Sequence, residues 1–290
     1  MQGEVKQNQT MPELHIDYLV VGHITADITQ EGIRLGGTAA FSGLTAKELG
    51  MKPGLITSYS PNLDISPIKS LWIQNKSSQH TTTFENKSDG INRQQHLYAI
   101  AEPITKDDLP SLNSPPKIVH LGPVANEVDQ NILDCFPDSL KCLTPQGWMR
   151  TINAEHQVLR CTWEGYAETI QNADVTVISH EDVQMDEVTI AKMADIASVL
   201  VLTENKRGAR VYWHNDARFF KAPEVKYADD TGAGDIFAGA FFYRYYFTKD
   251  PWEAGRFAVK LASWSVTRSY LESIPTTEEI SKAKIELISH

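Results

Sequence analysis

The sequence has few cysteines, no long apolar run and no secretory leader, and each absence narrows the class of protein. Its three cysteines are odd in number and lack C-x-x-C spacing, which argues against a disulfide framework and a zinc cluster. No apolar stretch approaches the roughly 18 residues that cross a bilayer, and the first residues lack the apolar core of a secretory signal. We therefore expect a soluble cytoplasmic protein with no membrane partner.

Positive charge is also scarce. The chain carries 27 Lys and Arg residues against 37 Asp and Glu residues, a formal net charge of -10, which disfavours a protein that neutralises a nucleic-acid backbone. Hydrophobic residues make up 41% and charged residues 22%, as in ordinary soluble domains, so the chain is expected to fold. Its 290 residues allow one large α/β domain with an appendage.

Short apolar segments, separated by stretches long enough for helices, recur along the chain and predict a mostly parallel sheet covered by helices. The predicted strands lie at residues 16–22, 54–57, 117–121, 139–143, 175–178 and 199–202, with a hairpin at 209–213 and 218–221. The predicted helices lie at 38–50, 127–135, 185–197, 233–247 and 252–266. Residues 58–95 are polar, and β-type pieces at 81–85 and 95–100 predict a small hairpin or lid sheet.

The most informative segment is Gly232-Ala233-Gly234-Asp235, which stands directly before an apolar run typical of a buried helix. Two glycines and an alanine leave the backbone amides bare at the start of that helix. There the amides and the helix dipole can bind a phosphate or a developing phosphoryl charge. A carboxylate at Asp235 would repel a bound anion, but beside a substrate hydroxyl it could accept the proton. The alternative is that Asp235 only caps the helix or complements its dipole.

Two common phosphate-binding motifs are absent, since the chain contains no GxxxxGK[ST] and no GxGxxG after its first strand. Instead, residues 229–241, DDTGAGDIFAGAF, resemble the C-terminal signature of the PfkB carbohydrate kinases, the ribokinase-like family. The resemblance implies a doubly wound, mostly parallel α/β sheet with a small β lid over the sugar, in a single kinase domain of residues 1–290. It places lid segments around residues 30–36 and 80–102, and it implies ATP and Mg²⁺ as cofactors.

The resemblance also assigns roles at the centre of the site. Asp235 corresponds to the catalytic base, and Gly232, Ala233 and Gly234 correspond to the anion hole. Asp27, which follows the first predicted strand, matches the family's substrate-binding aspartate. A carboxylate there can accept two hydrogen bonds from sugar hydroxyls, whereas a lone Asp would otherwise be interpreted as a solvated loop residue.

On the acceptor side, Gly36 and Gly37 match the family's di-glycine loop that lines the sugar pocket, because glycines let the backbone approach a substrate closely. Phe41 stands where the family usually places an Asn that touches the sugar. This change removes a polar contact, and the pattern is closer to the inositol and nucleoside kinase branches. In the lid segment, Arg93 is assigned to substrate binding, although exposed polar residues on a small sheet are usually only solvated.

On the donor side, Thr203 and Gly208 match the family's Thr-x-Gly-x-x-Gly loop beside the nucleotide, with Asn205 in place of one glycine. Asn tolerates positive φ better than other non-glycine residues, so the turn can survive. An ordinary hairpin connection explains the same residues equally well. Lys260 lies in the helix on which the family binds the nucleotide base, although packing alone explains the alanines around it.

Asp182 is the candidate magnesium residue. It ends Ser179-His180-Glu181-Asp182, which stands where the family commonly carries Asn-x-x-Glu. A carboxylate oxygen suits Mg²⁺, often through a water molecule. The alternative is that Ser179 caps a following helix and Asp182 is the acid of its first turn.

These residues together predict an ATP-dependent phosphotransferase that phosphorylates a hydroxyl of a small sugar, polyol or nucleoside. The departures at Phe41, Asn205 and Asp182 leave open a non-catalytic ligand-binding or regulatory descendant of the kinase fold, because a fold does not dictate a function. A lid sheet with an apolar outer face could also form a homodimer.

Overall fold

The computed structural model describes residues 15–88 and 93–284. The strands are β1 (Tyr18–Val21), β2 (Thr25–Thr29), β3 (Gly32–Gly36), β4 (Pro53–Tyr59), β5 (Trp72–Ser77), β6 (Thr82–Ser88), β7 (Arg93–Ala99), β8 (Ile118–Leu121), β9 (Leu140–Leu143), β10 (Arg150–Ile152), β11 (Val158–Arg160), β12 (Val175–Ser179), β13 (Leu200–Thr203), β14 (Gly208–Trp213) and β15 (Asp216–Lys221). The α-helices are α1 (Thr38–Glu48), α2 (Tyr166–Asn172), α3 (Glu187–Ile196), α4 (Ala233–Thr248), α5 (Pro251–Ser265) and α6 (Thr277–Lys284). None of the helices in these two ranges combines the length and the apolar character that a membrane crossing requires.

In the described part of the chain, nine strands form one sheet in the order β15-β14-β13-β12-β9-β8-β1-β4-β5. The pairs from β13 through β5 are parallel, and β14 and β15 are added antiparallel at one edge. The strand order reverses at β1, because β4 and β5 extend the sheet on one side and β8 begins the other. In an open sheet of this kind, ligands bind beyond the carboxyl ends of the strands at the reversal.

Alternate residues of the central strands enter two separate cores. Tyr18 and Val20 of β1 belong to the core that contains α1, α4 and α5, whereas Leu19 and Val21 belong to the core that contains α2 and α3. Because side chains alternate along a strand, each face of the sheet is buried under its own helices. The structure therefore confirms the predicted doubly wound, mostly parallel α/β fold.

A second, smaller sheet has the strand order β3-β2-β6-β7. Strand β2 pairs antiparallel with β3 and parallel with β6, and β6 and β7 form an antiparallel hairpin. Residues 30–36 and 80–102, the expected lid segments, fall on β3 and on β6 and β7, apart from residues 89–92, which lie outside the described residues. The hairpin β10–β11 adjoins β7 through a bridge between His96 and Gln157.

Several elements differ from the sequence-based expectation, and β2, α2 and α6 were not predicted. The helix predicted at 127–135 is a 3₁₀ helix at Gln130–Cys135, capped by the Asp129 carboxylate. Pro137 follows directly and disfavours a helical conformation at Phe136, so the segment is too short for an α-helix. Strand β5 and the hairpin β10–β11 were not predicted, because their sequences are largely polar.

The loops after β1 and β8 approach each other closely at the reversal. A Cβ atom on Gly22 would lie 2.3 Å from the carbonyl oxygen of Gly122, so this position requires glycine. The buried carboxylate of Glu127 accepts hydrogen bonds from the backbone N–H of His23 at 3.1 Å and of Val124 at 3.0 Å. Glu127 therefore joins the two loops by hydrogen bonds.

Candidate active site

A cleft brings together strand β2, the loops that follow β8, β9, β12 and β13, and the starts of α1 and α4. Its volume of about 1750 Å³ exceeds the roughly 300–1,000 Å³ of a pocket for one small ligand, so two reactants fit. The predicted site residues that line it are Asp27, Gly37, Phe41, Asp182, Thr203, Gly208, Gly232, Ala233, Gly234 and Asp235. The fold thus gathers residues that are up to two hundred positions apart in the chain.

Asp235 lies in the first turn of α4, where the N-termini of two helices meet. Gly232, the N-cap of α4, has a φ of 78°, in the left-handed region. Thr38, the first residue of α1, donates a side-chain hydrogen bond to the Asp235 carboxylate. Ser42, also on α1, donates from its Oγ to the backbone carbonyl of Asp235 at 3.1 Å. Helix α1 therefore fixes both the backbone and the side chain at the start of α4.

Burial raises the pKa of Asp235 to about 6 from its ordinary value of 3.8. The hydrogen bond from Thr38 and the positive charge of Arg150 oppose this increase, and the negative charge of Asp27 adds to it. A carboxyl group whose pKa lies near neutrality can accept a proton and then release it. The negative charge of Asp27 therefore acts on Asp235 within the cleft that both acids line.

Asp27 enters the cleft from β2. Its buried carboxylate accepts a hydrogen bond from the Thr25 hydroxyl at 2.9 Å. A Cβ atom on Gly36 would lie 2.5 Å from Oδ2 of Asp27, and one on Gly37, where φ is 89°, would lie 2.5 Å from the carbonyl oxygen of His23. The two glycines therefore leave space for the Asp27 carboxylate and for the loop after β1.

Phe41 supports the turn that begins α4. Its side chain is only 1% exposed, although its edge contributes to the cleft wall. A Cβ atom on Gly232 would lie 2.3 Å from two carbon atoms of the Phe41 ring. The ring thus packs directly under the predicted anion hole, where an Asn side chain would leave an apolar gap.

Asp182 lies in the turn after β12. Its carboxylate accepts hydrogen bonds from the backbone N–H of Ser179 at 3.0 Å and from Nε2 of Gln146 at 3.3 Å. Burial raises the pKa of Asp182, whereas the positive charge of Arg150 lowers it. Ser179 and Asp182 close a turn rather than cap a helix directly, because the next helix, α3, begins later and is capped by Asp186. The turn aims the carboxylate into the cleft.

The segment from Thr203 to Gly208 connects β13 to β14 and forms one wall of the cleft. Asn205 has a φ of 49°, the conformation expected for an Asn in a glycine position. Gly208 has a φ of 126°, and a Cβ atom there would lie 1.9 Å from the carbonyl oxygen of Phe220. The segment is therefore a hairpin connection, and its role beside a nucleotide stays a prediction.

Three predicted site residues are not found in the described lining of the cleft. Gly36 is not part of that lining, although its neighbour Gly37 is. Among the described residues, Lys260 does not line the cleft; α5 instead presents Val259, Ala262 and Ser263 to it. Ala262 and Ser263 follow Val259 by three and four residues and so share its helix face, and Lys260 is rotated away from that face. Arg93 begins β7, and its side chain lies outside the described part of the structure.

Sequence reasoning missed all the basic residues that line the cleft. Arg150, Arg160, Lys206, Arg207 and Lys221 all line the cleft. They supply positive charge to a cleft whose lining also contains six acids, Asp27, Glu181, Asp182, Glu224, Asp230 and Asp235. Phosphate groups require local positive charge of this kind.

The greater part of the chain matches a known protein family. Residues 85–277 match the family described as pfkB family carbohydrate kinase, which is well over half of the 290 residues. The chain belongs to the pfkB family of carbohydrate kinases.

A curated relative of this pfkB family member is the probable fructokinase-5 of Arabidopsis thaliana, 25% identical over 131 residues, which are 45% of this chain and 39% of that relative. The chain thus matches less than half the length of that relative. Two solved structures are similar over nearly the whole pfkB family member. A pyrophosphate-dependent kinase in the ribokinase family, complexed with a pyrophosphate analog and myo-inositol, has a TM-score of 0.76 at 20% identity and covers 91% of this chain and 99% of its own. An uncharacterized sugar kinase from Pyrococcus horikoshii in complex with ATP has a TM-score of 0.68 at 20% identity and covers 92% of this chain and 98% of its own. At these identities the solved structures establish the ribokinase-like fold.

Proposed function

We propose that this pfkB family member transfers the terminal phosphoryl group of ATP to a hydroxyl of a small sugar, polyol or nucleoside. The observation that carries the proposal is the position of Asp235, which shares one cleft with Asp27 and lies at the start of a helix that no side chain caps. If Asp235 only capped α4, that role would not explain its burial, the second acid in the same cleft or the glycine turn before it.

In the proposed mechanism, Asp27 accepts hydrogen bonds from the acceptor and orients its reactive hydroxyl toward Asp235. Asp235 takes the hydroxyl proton as the acceptor oxygen bonds to phosphorus and the bond from phosphorus to the leaving diphosphate breaks. The backbone amides of Gly232 and Gly234 stabilise the charge on the transferred group. The Ala233 N–H, which was also expected in the anion hole, donates instead to the carbonyl oxygen of Asp230 at 3.1 Å. Asp235 then releases its proton to solvent, which restores the carboxylate.

Mg²⁺ fits this site together with the phosphates of the donor rather than in a protein cage. Among residues 15–88 and 93–284, no group of three or more His, Cys, Asp or Glu side chains is arranged to hold a metal ion. Asp182 would hold the ion through water, as is usual where Mg²⁺ keeps part of its hydration shell. When bound, the ion neutralises charge on the donor phosphates.

Inorganic pyrophosphate is a second candidate donor. Lys206, Arg207 and Lys221 line the cleft around the connection between β13 and β14 and could bind phosphates without a nucleoside. A structurally similar solved kinase is pyrophosphate-dependent. On the other side, Val259 and Ala262 supply the apolar wall that a nucleotide base would need. Initial rates with ATP and with pyrophosphate, each at saturating acceptor, decide between the donors.

We propose that the small sheet acts as a lid over the acceptor. Phe84, Asn86 and Gln95 of β6 and β7 line the cleft, and the Gln95 amide donates to the Asn86 carbonyl at 3.2 Å. Closure over the acceptor would exclude water from the transfer. A homodimer formed through the same sheet would cover Ile33, which is 69% exposed.

Coupled assays across sugars, polyols and nucleosides test the proposed function, with ADP release measured when ATP is the donor and phosphate release measured when pyrophosphate is the donor. Release that depends on the acceptor supports a kinase. Binding of an acceptor without turnover, with either ATP or pyrophosphate as donor, supports the non-catalytic descendant and contradicts the proposal. The same assay identifies the acceptor.

We expect kcat/KM for the acceptor to fall as the pH drops below about 6, by roughly tenfold per pH unit, because the pKa of Asp235 is about 6 and only its ionised form accepts a proton. Stability should respond in the opposite direction. Folding raises the pKa of this acid above its ordinary value of 3.8, so its stabilising contribution is present at low pH and is lost as the pH rises through about 6. A profile of kcat/KM that is flat across this range would contradict the assignment.

A further inference from the structure

The hairpin β10–β11 places two arginines directly opposite each other. Arg150 of β10 pairs with Arg160 of β11 in antiparallel register. Two backbone hydrogen bonds flank this pair. The Cys161 N–H donates to the carbonyl of Met149 at 2.9 Å, and the Asn153 N–H donates to the carbonyl of Gln157 at 3.1 Å. Because hydrogen-bonded and non-hydrogen-bonded pairs alternate along antiparallel strands, Arg150 and Arg160 form a non-hydrogen-bonded pair, the type in which side chains come closest.

Two like charges at such a position destabilise a hairpin unless an anion lies between them. Within the described residues, neither Arg150 nor Arg160 has an ion-pair partner within 4.0 Å. The Arg150 guanidinium donates from Nη1 to the carbonyl oxygen of Val124 at 3.0 Å and lies 5.9 Å from the centre of the Phe84 ring. This hydrogen bond uses one N–H of the guanidinium and leaves other N–H groups available to a ligand.

Both arginines line the cleft that contains Asp235 and Asp182. Burial lowers the pKa of Arg150, against the opposing charges of Asp182 and Asp235, and the charge of Arg160 lowers it further. The charge of Arg160 also acts on Asp182. Arg150 therefore acts on both Asp235, the proposed base, and Asp182, the proposed magnesium residue, whereas Arg160 acts on Asp182. Both arginines line the cleft in which the phosphoryl group would be transferred.

We propose that Arg150 and Arg160 together bind the oxygens of the phosphoryl group that is transferred, in addition to the backbone amides of Gly232 and Gly234. The proposal rests on the proposed kinase function. Guanidinium forks match phosphate oxygens in pairs of parallel hydrogen bonds and stay protonated throughout. The bound group would also offset the repulsion between the two arginines, which accounts for their pairing in the hairpin.

Calorimetric titration of inorganic pyrophosphate into the full chain, without acceptor, tests the binding directly. We expect Arg150→Gln and Arg160→Gln each to weaken binding by about tenfold or more, with Arg150→Lys between Arg150→Gln and the wild type, because a Lys keeps the charge and loses the fork. Arg160 is exposed, so its variant should fold even if Arg150→Gln does not. Arg218→Gln, which removes the same charge outside the cleft, should bind as the wild type does.

Steady-state kinetics distinguish the donor from the acceptor as the source of the bound anion. We expect Arg160→Gln to raise the KM of the donor and to lower kcat while the KM of the acceptor stays constant. A change confined to the acceptor's KM would overturn the proposal, since the pair would then bind an anion carried by the acceptor. Equal pyrophosphate binding in all variants, or none in the wild type, would also overturn it. If no acceptor is phosphorylated, the proposed function fails, and the titration still decides the role of the arginines.

Discussion

Replacing Asp235 with Asn is expected to lower kcat by about 10²-fold or more while the protein stays folded. The amide has the shape of the carboxylate, and its oxygen can still accept the hydrogen bond from Thr38. It cannot accept the hydroxyl proton. Because burial raises the pKa of Asp235, the ionised form opposes folding, so the variant should be at least as stable as the wild type near pH 8. Steady-state turnover and urea unfolding measure the two effects.

Asp250→Asn is the matched control for that variant. Asp250 is the N-cap of α5, and its carboxylate accepts a hydrogen bond from the Trp252 N–H at 2.8 Å. The substitution removes a charge from a helix start outside the cleft, and Asn caps helices about as well as Asp. Turnover should therefore remain at the wild-type level and keep its inflection near the pKa of Asp235. Wild-type turnover in Asp235→Asn would remove that residue from the mechanism.

Much of the fold could be predicted because its central elements carry strong local patterns. The buried strand β1 and the apolar helix α4 stand out in the sequence, and each fills a core as expected. The hairpin β10–β11 could not be recognised in this way. Its residues are mostly polar, and its place beside β7 depends on pairing with a distant strand. Asn153, which accepts hydrogen bonds from the N–H groups of Glu155 and Gln157, was the one local turn signal.

In the candidate site, too, some residues could be predicted from local sequence and others could not. The Gly232 turn and Asp235 are adjacent in sequence, so their chemistry could be inferred from local spacing. The direction in which Phe41 and Lys260 point depends on the packing of α1 and α5, and sequence spacing alone does not give it. Phe41 was expected to touch the acceptor, and the structure packs its ring under Gly232. Arg150 and Arg160 enter the cleft only because β10 and β11 pair.

Gly232→Ala is expected to cost about 2–4 kcal/mol of stability and to lower turnover by about 10²-fold. The residue has a φ of 78°, which disfavours alanine, and the new Cβ atom would lie 2.3 Å from the Phe41 ring. That ring is only 1% exposed and belongs to the packed helix α1. The turn must therefore shift, and with it the amides that are proposed to bind the phosphoryl group. Urea unfolding and kcat report the two effects.

Gly234→Ala distinguishes the effect of the shape of the turn from the effect of the free space beside its amides. A Cβ atom on Gly234 would meet no described atom within 4 Å, and the residue lies in the cleft wall. Alanine favours a helix over glycine by up to about 1 kcal/mol, so the fold should keep or gain stability. The methyl group would nevertheless occupy space next to bare amides, and turnover should fall because a phosphate can no longer reach them. Equal stability losses in the two variants would show that the Phe41 contact does not shape the turn. Full activity in Gly234→Ala would show that the phosphoryl group does not approach these amides.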